Sequence, residues 1–482
     1  MTLDPSYSLF SNSEIRNPKS EGNPKLGIRN PNGKGSSDLS AVGVRALDSF
    51  RISRLVFRAF PFALCVMGFV LEGTRVYSQQ KDFEIRSADV LDVRRSGAQQ
   101  IQALIGKVHM VQPSASGEVK IWCDSAFRNM QTNVVDLFGH VKIVRDSMTL
   151  TSTEGMYYGK DRRAVMPKGV LLNRGRMVLT SRYGEYWANE KRVYFRGDVH
   201  VVDSTSSTWS DTLTYFELEE KSIAVGRVRV FNPENNLTVF GDSLVHFDKA
   251  KYTIVPRNPR LMQIDTVAVG MLDTLLIVSA LMEAYQDSLQ RFLARGQVEM
   301  ARTDFAARCG EATYFYKRDR IVLRQRPVVW HAESQISGDS IVIATKDRKL
   351  QSVYVRGRSM AVSRADSIRT ARFDQLTARE ITIRFKNGKI VQIDADRTAT
   401  SLYYLFDGGS ANGANRSSGD QILMEFRDGK VDRIKIVGGV EGNYYPERML
   451  VKHERAYNLD GFRWITDRPR RRQLSIIHES YD

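Results

Sequence analysis

The sequence predicts an all-β protein built from repeats, and three observations carry that expectation. A glycine phrase recurs as Gly139-His-Val-Lys-Ile, Gly197-Asp-Val-His-Val and Gly226-Arg-Val-Arg-Val, with steps of 58 and 29 residues. The unit is therefore about 29 residues, with a weaker copy at Gly169-Val-Leu-Leu between the first two. A second mark runs in phase: a small residue at Ser152, Ser181, Ser210 and Gly241, followed five positions later by Tyr157, Tyr186 and Tyr215 in the first three copies. A fixed period of this size is the mark of a repeat architecture. Third, the segments between marks alternate with period two. Val193, Phe195, Gly197, Val199 and Val201 share one face, against Tyr194, Arg196, Asp198 and His200 on the other. Leu137, Gly139, Val141 and Ile143 share a face in the same way, as do Ala224, Gly226, Val228 and Val230. Such alternation marks half-buried strands.

The chain has 482 residues, 42% of them hydrophobic, so a sizeable core is possible. Proline is scarce, at 13 residues, while Val, Ile, Thr, Tyr and Phe are frequent, as strands favour. The formal charge is +16. An excess of that size serves solubility or an anionic partner such as nucleic acid, a phosphorylated lipid or a membrane surface.

Residues 1–50 are rich in Ser, Asn, Gly and Pro and lack apolar periodicity, which reads as disorder or an over-extended start. Residues 51–78 follow a different rule. A basic run, Arg51 to Arg58, precedes an apolar core from Ala59 to Leu71, and Val76-Tyr-Ser78 ends it. That order is a secretory signal peptide, and the apolar core is shorter than the ~20 residues a spanning helix needs. A lipoprotein reading of Cys65 is weak, because bulky Leu64 precedes it.

The small-residue column continues through Cys123, Ser152, Ser181, Ser210, Gly241, Ser279, Cys309, Gly338, Ala378 and Gly419. Small residues are needed where the backbone bends or two sheets approach closely. The glycine column comprises Gly106, Gly139, Gly169, Gly197, Gly226, Gly296 and Gly357, with Gly438 later and Pro327 near one vacant place. The stretch from Ser279 to Arg295 has helical propensity, yet its phase matches the repeat, so it is assigned as strand. The repeat is expected over 79–260 and 261–345, and to loosen over 346–465, with insertions near 362–376 and 401–418. Residues 407–419 have the composition of a flexible loop. Asn387-Gly388 and Asp428-Gly429 are hairpin signals. The basic tail, 466–482, is expected to be solvated.

Little points to catalysis. Cys123 and Cys309 sit in one column six repeats apart; at ~4.8 Å per strand they are too distant in a single stack for a disulfide, which needs Cα atoms within ~7 Å. The seven His show no metal-ligand spacing. Asp211, Asp242, Asp339 and Asp420 follow the small residue, a pattern open to turn carboxylates, calcium ligands, or the paired acids of a carbohydrate-cleaving β-helix. Turn carboxylates are favoured, since the calcium nonapeptide is absent. No nucleophile elbow, P-loop or dinucleotide fingerprint is present. No cofactor or metal is expected, and the chain is read as a non-enzyme.

The phrase Gly-x-Val-x-Val, then Leu-x-Ser/Ala-Asp-x-x-x-Tyr, then the next Gly-x-Val, resembles the OstA-like repeat of the LptA-like lipopolysaccharide-export proteins. Its best copies run from Gly197 to Tyr215 and from Gly226 to Asp242. The resemblance covers residues 85–345 well and 346–445 more loosely. It implies a V-shaped antiparallel β-jellyroll with an apolar groove for lipid acyl chains, stacking end to end in the periplasm. On that resemblance, Val141, Ile143, Phe195, Val199, Val201, Val228 and Val230 line the groove; an ordinary closed core is the competing reading of the same residues. The ligand is then lipopolysaccharide, through the acyl chains of lipid A. The partners are other export components joined by strand addition, with room for a homo-oligomer and none for nucleic acid. The location is periplasmic, with or without association with the outer or inner membrane. The chain departs from a single-module bridge in its length and insertions. A carbohydrate-active β-helix enzyme and a passive adhesin repeat remain as alternatives.

Overall fold

A computed structural model describes residues 84–475, except positions 98, 115–116, 146, 269–270, 287, 304, 347–348, 367, 387–388, 408–409 and 428–429. The leader at 51–78 and the segment before it lie outside the described residues. Within them the chain is almost entirely strand, and its pairings are antiparallel. The protein is an antiparallel β-jellyroll. It divides into two compact units: Ser53–Gln263 with Ser279–Phe292, and Ile264–Val278 with Leu293–Ser480.

The bend inside each long strand organises both units. In Arg192–Val202, Gly197 and Asp198 have φ of +80° and +48°. Arg196 pairs with Thr212 and Val199 with Ser210, so two residues are passed over on one strand and one on its neighbour. The same pair of left-handed residues occurs at Gly106–Lys107, Gly139–His140, Gly226–Arg227, Gly296–Gln297 and Gly357–Arg358. A β-carbon at the first position would be strained and would strike a neighbour. At Gly139, Gly226 and Gly357 that neighbour is the side chain of Asp124, Asp211 or Asp339. The same carboxylates bind the next residue along: His140 Nδ1 lies 2.8 Å from Asp124 Oδ2, and Arg358 Nη2 donates to Asp339 Oδ1 at 2.7 Å. At Gly197 the charges are reversed, with Arg182 lying over the glycine and ion-paired to Asp198.

The small-residue column is the other side of this bend. A β-carbon on Gly338 or Gly419 would stand 2.7 Å from Val355 or Ile436. Where the column is serine, its hydroxyl bridges the bend: Ser181 Oγ donates to Tyr183 O at 3.0 Å, and Ser279 Oγ to Leu281 O at 3.0 Å.

Each bend divides its strand between two half-sheets. In the first unit, 134–138, 154–158, 163–166, 183–187, 192–196, 212–216 and 221–225 pair in succession. Beyond the bends, 141–145, 148–152, 170–174, 177–181, 199–202, 207–210 and 228–232 form a second ladder. One apolar cluster joins the two: Leu104, Ala126, Val135 and Leu137 from the first half-sheet, with Val108, Met110, Ile121, Cys123 and Val141 from the second. The half-sheets therefore face each other over a shared interior.

Counting alone puts the tyrosines on the opposite face from the small residues unless a bulge intervenes. The register shift at the bend is that bulge: Ser210 and Tyr215 are both buried. The stretch with helical propensity forms strands, Leu281–Tyr285 and Arg291–Ala301, because 252–255 lies ready to pair with 282–285.

The second unit corrects two expectations. Residues 407–419 are not a flexible loop but belong largely to the strand Ser410–Arg427, paired on both sides. Their small side chains admit a close neighbour. Ala414 is fully buried, and a β-carbon on Gly413 would meet the backbone and ring of Tyr445 and Tyr444. The second correction concerns 446–465, expected as looser strands, which hold no strand; the described part of the basic tail follows, with Arg470 and Arg472 exposed. Residues 446–475 run as a strap across the outer face of the second half-sheet. Arg372, fully buried, grips Glu447 through two bonds of 2.8 and 2.9 Å. Gln375 binds Asn458 and Leu459, and Gln335 binds Arg463 and Ile465. Arg308 meets Asp467, and Arg471 meets Asp273. Phe462 and Trp464 pack on Phe373.

Two outcomes are expected. Gly226→Ala should lower stability by about 1–3 kcal/mol, the usual cost of a non-glycine residue forced into such a conformation; urea denaturation of the mature chain measures it. The Arg372 bonds hold the Glu447 carboxyl below its usual range. That contribution is complete above the unfolded value of about 4.3 and is lost as pH falls through the lower folded value. The destabilisation caused by Glu447→Gln should therefore shrink as pH is lowered from neutral into the acidic range, read by urea denaturation at each pH.

Candidate functional site

The feature with functional potential is the interior between the half-sheets. Val199 stands opposite Ser210, Val201 opposite Leu179 and Thr208, Val228 opposite Gly241 and Val230 opposite Val239. These four valines share the inward face of the second half-sheet. Phe195 projects inward from the first half-sheet, opposite Leu213 and Gly184. A β-carbon on Gly184 would stand 2.7 Å from Val170 and 3.4 Å from the Phe195 ring, so glycine there makes room for Val170 across the interior. Val141 and Ile143 lie on the second half-sheet several strands away, beside Ile121 and Leu150. Six of the seven residues chosen from alternation are at most 5% exposed, and Ile143 is half-buried. As the chain stands, they form a closed apolar core.

That interior approaches the surface at one place the sequence analysis did not select. A small cavity of about 10 Å³ is lined by Ile85, Gln102, Leu104, Met110, Ala126, Arg128 and Val135. Four of these belong to the apolar cluster, so the cavity borders the core. The signal was present in the columns. Leu104 stands two residues before Gly106, as Phe195 does before Gly197, and Met110 stands four after, as Val201 does.

The groups that could have done chemistry are otherwise engaged. Asp211 bonds Arg227, Asp242 bonds Asn258, Asp339 bonds Arg358, and Asp420 lies over Gly438. The carboxylate column is therefore spread one per bend, not gathered in pairs. Cys123 and Cys309 are free and buried, and burial pushes their thiols up to about 11 and about 12. Both are protonated at neutral pH and poor nucleophiles. Among the described residues no group of three or more His, Cys, Asp or Glu is placed to hold a metal, and no helix is long and apolar enough to cross a membrane.

Comparison with known families fits this architecture. Residues 80–242 match the family described as OstA-like protein, and residues 178–349 match the family described as LptA/(LptD N-terminal domain) LPS transport protein. The two matches overlap over 178–242, so the matched stretch begins in the first unit and continues into the second. Among solved structures, one that matches is LptH, the LptA-homologous periplasmic component of the lipopolysaccharide transport device of Pseudomonas aeruginosa. The identity is 11%, over 30% of this chain and 95% of that one, and the TM-score of 0.24 carries no argument. No curated protein sequence matches the chain.

Packing gives the OstA-like interior a measurable signature. Phe195→Ala should cost about 3–5 kcal/mol, the range for a large buried aromatic, and half-buried Ile143→Ala distinctly less. Chemical denaturation of the mature chain compares them.

Proposed function

We propose that this chain is a periplasmic carrier of lipopolysaccharide, holding lipid A acyl chains between its half-sheets on the way to the outer membrane. The observation that carries the reading is the apolar interior between the half-sheets of the first unit, with residues 178–349 matched by an LPS transport family. Each methylene taken out of water is worth about 0.8 kcal/mol, so several acyl chains reward a trough of this length. On this reading Val141, Ile143, Phe195, Val199, Val201, Val228 and Val230 become the lining when the half-sheets part. The exported location follows from the leader at 51–78. The basic excess suits the phosphates of the ligand.

Edge strands supply the means of assembly. Glu84–Ser87 and Val90–Ser96 pair inward with Gln99–Ser114. On the second of these strands Val90, Leu91 and Val93 are 50%, 57% and 51% exposed. A strand with free backbone groups and apolar side chains invites another strand. Other export components, or a second copy, would join there.

The reading is tested by purifying the mature chain from a lipopolysaccharide-producing host and extracting it for mass spectrometry. Co-purified lipid A is expected. A photo-crosslinking residue at Val199 or Val228 should give lipid adducts, and one at outward-facing Lys142 should not. Absence of adducts at all seven lining positions would reject the carrier.

A further inference from the structure

The tyrosines that recur through the first unit share a placement. Tyr215 is fully buried, Tyr157 packs against the apolar cluster, and Tyr186 lies two residues beyond inward-facing Gly184. All three project inward from the first half-sheet. Facing them from the second half-sheet stand Gln112, Arg145 and Arg174, next along the inward face after Met110, Ile143 and Leu172. Gln112 Nε2 donates to Tyr157 Oη at 3.1 Å, and Arg145 Nη1 donates to Tyr186 Oη at 3.0 Å. Arg174 acts electrostatically on the Tyr215 phenol. The sequence separations are 45 and 41 residues for the two hydrogen-bonded pairs, and the numbering of Arg174 and Tyr215 repeats the second value.

These residues all lie five or six positions from a bend, roughly 15–20 Å along an extended strand. One long side of the folded sheet is closed by continuous backbone at the bends. On the other side, among the described residues, these side-chain contacts cross between the half-sheets.

We propose that Gln112–Tyr157 and Arg145–Tyr186 form a latch along that second side, and that acyl chains enter the first unit sideways by parting it. The inference rests on the lipid-carrying reading and adds the route of entry. The physical asymmetry supports it. Parting the bends would mean distorting backbone ladders on several strands, whereas rim hydrogen bonds are exchanged for water at small net cost. The repeat explains why the residues recur: an acyl chain lying across the strands needs every contact along its length released. The alternative route is end-on, beside Ile85.

The experiment closes the latch covalently. Gln112→Cys/Tyr157→Cys and Arg145→Cys/Tyr186→Cys, made together in the mature chain, are bridged with a bis-maleimide long enough to replace the lost side chains. The control is the same protein capped with N-ethylmaleimide. Cys123 and Cys309 are buried and compete poorly for either reagent. Uptake of radiolabelled lipid A from mixed micelles is then followed. Bridged protein should load at least tenfold more slowly than capped protein. Equal rates would overturn the latch and leave the carrier standing. If the unmodified chain takes up no lipid A at all, the carrier reading falls and the latch falls with it. Tyr157→Phe/Tyr186→Phe keeps the rings and removes the hydroxyls, so it tests the idea even if the cysteine variants misfold. Loading a few-fold faster than wild type is expected, and an unchanged rate would overturn the latch.

Discussion

Two consecutive left-handed residues in the middle of a strand are the constraint on which the fold depends. An ordinary strand would carry one flat sheet. With Gly197 and Asp198 at positive φ the strand turns a corner, and the neighbouring strand turns with it at Ser210. The corner is crowded by design of its chemistry: a carboxylate lies where a β-carbon would go and holds the following cation or imidazole. Repeated from Gly106 to Gly357, the corner becomes a crease. Everything else follows from its position, including which residues look inward and where the interior lies.

The crease also accounts for the absence of visible chemistry. The conspicuous acids, Asp124, Asp211 and Asp339, are consumed in holding corners, and each is matched by a partner on the next strand. Cysteines occupy two of the small positions because a thiol fits there, and burial keeps them protonated. The polar residues at the bends are thus spent on the backbone, and the described interior is left to valine, leucine and phenylalanine.

The two units treat their outer faces differently. In the second, Met360, Val362 and Phe373 look outward and are covered by Phe462 and Trp464 of the strap, with Arg372 and Gln375 fixing it by hydrogen bonds. In the first, the corresponding face carries His109 stacked on Trp122 with Lys142 above it, and His200 stacked on Trp209 with Arg229 above it. Cation and imidazole shield those indoles, and Leu171 and Val178 stay partly exposed beside them. One face is sealed by its own chain, and the other is made compatible with water by charge.

The sequence by itself determined the strands, their alternation and the glycine column, because period-two burial and the need for a residue without a β-carbon are local requirements. It also separated Val199, Val201, Val228 and Val230 from their outward neighbours. It marked the vacant place beside Pro327, where Gln325–Arg326 bend, but missed Asn258 and Arg397–Thr398, which take the same left-handed conformation with side chains attached. It misjudged 407–419 and 446–465 because local pattern reports what a segment could do by itself, whereas their state depends on partners far along the chain. Only the tertiary structure decided that the tyrosines turn inward. One extra residue at each bend reverses the face, and whether it is accommodated depends on how neighbouring strands share the corner.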